Sequence, residues 1–244
     1  IIPKLGSFDI KILDNNIVQK FINQKISAEK CSLSPKSVRE LVNIIKNTLA
    51  YAENYGFHSK CKCELLVVRN SFKPIRVLNK NEEKALLNTL ESNTDIFKLG
   101  ILISLLTGVR IGELCALRWE DIDFKECVIT VNRTMQRVQV EGKDNKTEII
   151  ITTPKTNASI RQIPIPKMLV DYIIGFKSSN DQYILTNKNG NYIEPRVMQY
   201  KFKKYIQIAG ISDANFHALR HTFATRCIEA GVDVKVLSEV LGHS

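Results

Sequence analysis

"HALRHTFATRCIEAGVDVKVLSEVLGHS", His217 to Ser244, holds three of the four histidines among 244 residues, with an arginine between the first two. His217 and Arg220 are three apart and His221 is four from His217, so the three share one side of a helix. Two histidines at i and i+4 is the spacing of a zinc pair. Yet H-A-L-R-H lacks the glutamate of H-E-x-x-H, and Arg220 stands where its charge would repel a cation. Acidic or cysteine third ligands are not evident nearby. His243 follows Gly242, a residue type that ends helices, which puts an imidazole at a helix terminus. The stretch reads as two helices, 217–230 and 233–241, presenting cationic and imidazole groups without a metal.

A second cationic point lies upstream in "TGVRIGELCALRW" (107–119). Gly108 ends one helix and Arg110 opens the next. A helix N-terminus is already positive, so an arginine there makes sense if an anion is shared between it and the backbone N–H groups. Glu113, one turn on, is placed to orient the arginine. A plain surface ion pair reads the same way. The Gly108–Gly112 spacing is no nucleotide-binding fingerprint.

In "TTPKTNASIRQIPIP", Thr153 closes one strand and Ile160 opens another, which places Lys155 at a hairpin tip. A lysine there can reach a neighbouring site as a mobile cation or proton donor, although most turn lysines are only solvated. The candidates are then two arginines, a lysine and two histidines, with no carboxylate pair. Such a set suits the extra negative charge of a pentavalent phosphate. It suits neither glycoside hydrolysis nor a two-metal nuclease.

The rest of the chain supplies the frame. "SPKSVRELVNIIKNTLAYAENYG" has Ser34 as N-cap and Pro35 at the first helical position. Val38, Leu41, Val42, Ile45, Leu49 and Ala52 recur at helical spacing as one apolar stripe. Lys36, Arg39, Asn43 and Lys46 share another face. Residues 8–56 read as helical, and Pro74 with its polar neighbours marks a linker. After it come helices opening at Asn81 and spanning roughly 95–106, then one at 111. Strands follow at 127–134, 147–153 and 159–165, an extended piece at 183–187, and helices near 166–177 and 194–209. The fold class is α+β, a mostly helical domain with a small antiparallel sheet, preceded by a small all-α domain. The boundaries are 1–72, a linker at 73–80, and 81–244.

The net charge of +10 favours an acidic partner, nucleic acid or an anionic membrane surface. In residues 1–75, 12 basic and 6 acidic side chains give +6; in the remainder, 23 and 19 give +4. The smaller part is therefore the more basic per residue. The longest apolar run, 99–109, is too short to span a bilayer. The six cysteines have no metal spacing and fit a reducing cytoplasm. The chain opens on Ile1 and reads as a piece of a longer protein.

"LLTGVRIGELCALRWEDIDF", "TPKTNASIRQIPIP" and "HALRHTFATRCIEAGVDVKVLSEVLGHS" resemble the three signature regions of the tyrosine recombinases, most of all phage and conjugative-transposon integrases. The resemblance covers about 76–244. Residues before it are similar, more loosely, to the family's SAM-like core-binding domain. By position, the resemblance implies that Arg110 and Arg220 clamp a scissile phosphate. Lys155 would protonate the 5′-hydroxyl leaving group, His217 would assist proton transfer from the nucleophile, and His243 would bond a phosphate oxygen. Glu113 would support Arg110, with His221 and Thr222 packing behind. No metal, ATP or other cofactor is implied, because a 3′-phosphotyrosine conserves the bond energy.

The implied partner is double-stranded DNA, held by a tetramer of the full-length protein, with an accessory excision factor. The 244 residues themselves would be monomeric in solution. Lys36, Arg39 and Lys46 become expected phosphate contacts, and the polar segment 135–146 a hairpin excursion. In the family the nucleophile lies about ten residues past the L-G-H histidine. None of the seven tyrosines stands there, so these residues are expected to bind DNA without cleaving it. An arm-binding domain is expected before Ile1. The rival readings are a non-catalytic, regulatory DNA-binding relative and a metal-dependent hydrolase built on His217 and His221. Retention of all five active-site candidates argues against the former.

Overall fold

The computed structural model describes residues 1–27, 33–62, 74–91, 95–140, 147–153, 160–177 and 182–242. They form two compact units, Ile1–Pro74 and Ile75–Ser244.

The first unit is helical: α1 (Ile2–Leu5), α2 (Asn15–Ser27) and α3 (Pro35–Asn54). Asp14 caps α2 by accepting the Ile17 N–H at 2.8 Å. Ser34 caps α3 by accepting the Ser37 N–H at 3.2 Å, and Pro35 occupies the first turn, where its missing N–H costs nothing. Val38, Val42 and Ile45 of α3 pack on Val18, Phe21 and Ile22 of α2. Each such side chain contributes about 1.5–3 kcal/mol on burial. Lys36, Arg39 and Lys46 lie on the exposed face of α3.

The second unit is built around α5 (Ile96–Thr107), which follows α4 (Lys80–Glu91). Helix α5 buries Leu99, Ile101, Ile103 and Leu105 together with Gly100, Ser104 and Thr107. A helix apolar on all sides has to be surrounded, and α5 packs against α4, α6 (Ile111–Ala116), α8 (Pro195–Ile208) and α9 (His217–Glu229). A Cβ on Gly100 would come 2.7 Å from Met198 Cε, so the Met198 side chain of α8 packs directly on α5 at this glycine. Helices α7 (Lys167–Ile174) and α10 (Val234–Leu241) complete the set.

The strands β1 (Ile122–Asp123), β2 (Val128–Val131) and β5 (Arg161–Pro164) form an antiparallel sheet in the order β1-β2-β5, with Ile129 opposite Ile163. Strands β3 (Thr134–Gln139) and β4 (Thr147–Thr152) form a separate antiparallel pair with Met135 opposite Ile151. The unit is thus mostly helical with small antiparallel sheets, the expected class.

Three local expectations need correction. The run 127–134 is two strands, broken at Asn132–Arg133. Helix α4 is capped by Asn79 rather than Asn81: Asn79 Oδ1 accepts the Glu82 N–H and Glu82 Oε2 accepts the Asn79 N–H, both at 2.9 Å, a reciprocal capping box. The strands that flank Lys155 in sequence, β4 and β5, do not pair with each other: β4 pairs with β3 and β5 with β2. The pairing of β3 with β4 makes 134–152 the hairpin, in line with the excursion expected from residue 135 on.

The chain is anchored to the second unit soon after its start. Leu78 is fully buried, its N–H donates to Thr222 Oγ1 at 2.9 Å, and its carbonyl accepts from Arg226 at 2.8 Å. Among the described residues, no helix is long and apolar enough to cross a membrane.

Candidate active site

Helix α5 ends at Gly108 in the left-handed conformation, φ +66°. A side chain there is excluded twice: by the positive φ, and because a Cβ would lie 2.6 Å from Phe223 of α9 and 2.9 Å from Leu241 of α10. The chain then turns through buried Val109 to Arg110, the extended N-cap residue of α6. Gly112 allows α6 to lie on β3, since a Cβ would meet the Met135 carbonyl at 2.7 Å.

Glu113 closes the first turn of α6 by accepting the Arg110 N–H at 2.9 Å, and its other oxygen accepts from Arg110 Nη1 at 2.8 Å. The same carboxylate is held from the opposite side by Arg161 of β5, at 3.1 and 2.7 Å. Burial alone would raise the Glu113 pKa. The bonds and charge of Arg161, followed by those of Arg110, outweigh it and hold the carboxyl below its usual range.

The end of α10 ties the arginines together. Gly242 takes up φ +67°. The carbonyls of Val240, Leu241 and Gly242 each accept from a different arginine: Arg161 Nε at 2.6 Å, Arg220 Nη2 at 2.7 Å and Arg110 Nη2 at 3.1 Å. Carbonyls at a helix C-terminus lack intrahelical partners and carry the negative end of the dipole, so three guanidiniums cap them. The second Arg220 donor, Nη1, reaches the Gly108 carbonyl at 2.8 Å.

Arg220 and Arg161 are buried, whereas the Arg110 side chain is 42% exposed. Three guanidiniums around one carboxylate leave two positive charges in a partly desolvated place. Burial first, then repulsion from Arg110, pull Arg220 down to about 10, with Glu113 opposing and Arg161 adding to the shift. A bound anion would relieve that repulsion.

A cavity of about 260 Å³ opens here, lined by Val109, Ile111, Gln199, Asn215, Phe216, His217 and Arg220. His217 begins α9, whose first turn is capped by Asn215 Oδ1 accepting the Ala218 N–H at 3.1 Å. The His217 ring meets His221 edge-on, with centroids 4.4 Å apart. Burial and the neighbouring Arg220 charge lower the His221 pKa, which favours the neutral ring.

Of the residues singled out in the sequence, Arg110, Glu113, Arg220, His217 and His221 come together here. Lys155 and His243 lie outside the described residues. Lys36, Arg39 and Lys46 stand in the other unit. Arg161 escaped the sequence reading, although a signal was present: it alternates in phase with Ile163 and Ile165, and all three are buried.

Residues 76–244 match the family model described as the phage integrase family. The chain belongs to that family and is a tyrosine recombinase of integrase type. A tyrosine recombinase XerC-like protein of Caldanaerobacter subterraneus subsp. tengcongensis is 30% identical over 99% of this chain and 67% of its own. The tyrosine recombinase XerA of Thermococcus kodakarensis is 31% identical over 69% of this chain and 54% of its own. The chain therefore spans between about half and two thirds of these relatives. Among solved structures, the Tn1549 transposon integrase in complex with transposon right end DNA superposes with a TM-score of 0.81 at 23% identity, covering 99% of this chain and 81% of that one. That likeness concerns the fold.

Proposed function

We propose that the second unit holds a scissile phosphodiester of double-stranded DNA at the Arg110–Arg220 cluster, for site-specific integration or excision of a mobile element. The observation that carries this reading is the excess of guanidinium over carboxylate beside a cavity that also presents His217. Preorganised donors aimed at developing negative charge are often the largest part of such catalysis. Arg110 and Arg220 bind the non-bridging oxygens, and Glu113 keeps Arg110 aimed. A tyrosine oxygen attacks phosphorus and loses its proton with help from His217. The 5′ oxygen leaves, taking a proton from Lys155, and His243 bonds a phosphate oxygen. The 3′-phosphotyrosine so formed is reversed by an incoming 5′ hydroxyl, with no metal or cofactor.

The nucleophile is not one of the seven tyrosines present. Among the described residues, no tyrosine lines the cavity. Tyr205 donates its hydroxyl to Asp95, and burial with that bond pushes its pKa further up. Tyr51 and Tyr55 pack against each other in the first unit, with ring centroids 4.8 Å apart and planes tilted by 42°. Residues 1–72 act as a core-binding domain in which Lys36, Arg39 and Lys46 contact phosphates. The working assembly is a cytoplasmic tetramer on DNA, helped by an accessory excision factor, while residues 1–244 alone are monomeric.

The test is a suicide-substrate assay in EDTA, with nicked duplexes from the ends of the element that carries the gene. The complete gene product should form a covalent protein–DNA adduct, and residues 1–244 should bind the duplex without one. Tight binding without an adduct from either would overturn the recombinase reading in favour of a regulatory DNA-binding role.

A further inference from the structure

We propose that Arg161 is a positioning residue of the phosphate site, one guanidinium that sets both the Glu113 carboxylate aiming Arg110 and the last turn of α10, whose carbonyls hold Arg110 and Arg220. The proposal rests on the phosphodiester reading above and goes beyond it by assigning a role to a residue that does not touch the substrate. The Arg161 side chain is 6% exposed, against 42% for Arg110.

Three bonds define the role. Arg161 Nη1 and Nη2 meet the two Glu113 oxygens at 3.1 and 2.7 Å, and Nε meets the Val240 carbonyl at 2.6 Å. The guanidinium plane thus spans β5, α6 and α10. A Cβ on Gly242 would fall 3.1 Å from Arg161 Cδ and Nη1, so the side chain also forms the floor under the glycine whose carbonyl receives Arg110.

Arginine suits this place. Its fork offers two parallel donors to a carboxylate, and its Nε offers a third in the same plane. A lysine would supply the charge from one atom and could not span the three elements. Without Arg161, Glu113 is held, among the described residues, by Arg110 alone, and Arg110 is the more solvated partner. The carboxylate and the end of α10 would then adjust independently, and the two clamping guanidiniums with them. A shift of about 1 Å at a reacting centre costs on the order of 100-fold in rate.

A buried ion pair can also be plain architecture, so the test separates the two. The complete gene product is compared with Arg161→Lys, Arg161→Met and the double replacement Arg161→Met with Glu113→Gln. Duplex affinity, thermal midpoint and the rate of covalent adduct formation on the nicked duplex are measured for each. The double replacement removes both members of the buried pair and leaves the net charge of the cluster unchanged, which keeps a folded protein available. The expected result is a duplex Kd within about threefold of wild type, and adduct formation slowed about 100-fold in both Met proteins. Arg161→Lys should be intermediate in rate while melting close to wild type.

An adduct rate in the double replacement equal to wild type would overturn the proposal while leaving the phosphodiester reading intact. Rate and thermal midpoint falling and recovering together across the series would reduce Arg161 to architecture. No adduct from the wild-type protein would overturn the phosphodiester reading, and this proposal with it.

Discussion

The two units carry their positive charge in opposite ways. On α3, Lys36, Arg39 and Lys46 stand on an exposed face of a helix whose other side is the unit's core. In the second unit, Arg161 and Arg220 are buried and fixed in place by bonds to named carbonyls and, for Arg161, a carboxylate. Exposed cations cost little to keep and attract any polyanion, with a strength that salt erodes. Buried guanidiniums are expensive to desolvate, and only a complete set of partners makes them tolerable. What they supply in return is position. Under the proposed function, the contrast assigns affinity to the first unit and geometry to the second.

The strongest challenge to that division is Arg220→Met. It removes one donor of the proposed clamp and uncaps the Gly108 and Leu241 carbonyls, so adduct formation should fall about 1000-fold. A Kd changing less than about tenfold would keep affinity and geometry apart; an equal fall in binding would merge them. Next comes Glu113→Gln, which removes the only carboxylate that, among the described residues, bonds to Arg161 and Arg110. A loss of about 3 kcal/mol in chemical denaturation at neutral pH is expected.

The pH dependence of the same residue sharpens the point. The folded-state pKa of Glu113 lies below its unfolded value. Its stabilising contribution is therefore complete above the ordinary carboxyl pKa of about 4.3 and lost as pH falls through the lower folded value. Wild type and Glu113→Gln should converge in stability on acidification below that window. A gap that stays constant down to acid pH would deny the carboxylate its role.

Gly108→Ala ranks third, at about 2 kcal/mol of stability, because both the backbone conformation and the contacts with Phe223 and Leu241 resist a methyl group. A thermal midpoint equal to wild type would contradict the close approach of α5, α9 and α10. The smallest structural effect belongs to the triple replacement of Lys36, Arg39 and Lys46 by Ala. Stability should change by less than about 0.5 kcal/mol, while the slope of log affinity against log salt flattens by about 2–3. An unchanged slope would make that face of α3 merely solvated.

Much of this was legible in the sequence where the determinants are local. Ser34 and Pro35, the apolar stripe of α3, the largely apolar α5 and the two terminating glycines act within a few residues. The misreadings have equally definite causes. Strand partners are chosen across the fold, so β4 and β5, neighbours in sequence, pair with β3 and β2 instead of each other. The start of α4 turned on which of Asn79 and Asn81 has a glutamate three residues on that is free to reach back, and Asn79 with Glu82 closes the box.

Arg110 and Arg220 stood out because they sit in unusual places, at a helix start and beside a histidine. Arg161 lies in an ordinary alternating strand, and only its phase with Ile163 and Ile165 betrays a buried charge. Its partners, Glu113 and Val240, are 48 and 79 residues away, beyond any local pattern.

The central claim is that the arginine cluster recognises one particular phosphate. The most direct measurement replaces single phosphates of a bound duplex, one position at a time, by neutral methylphosphonate and records the affinity of wild type and of Arg110→Met. One position should stand out, with a loss of about tenfold or more that disappears in Arg110→Met, as expected for charge-assisted bonds to a single group. Small losses of equal size at every position, unaltered by Arg110→Met, would contradict it.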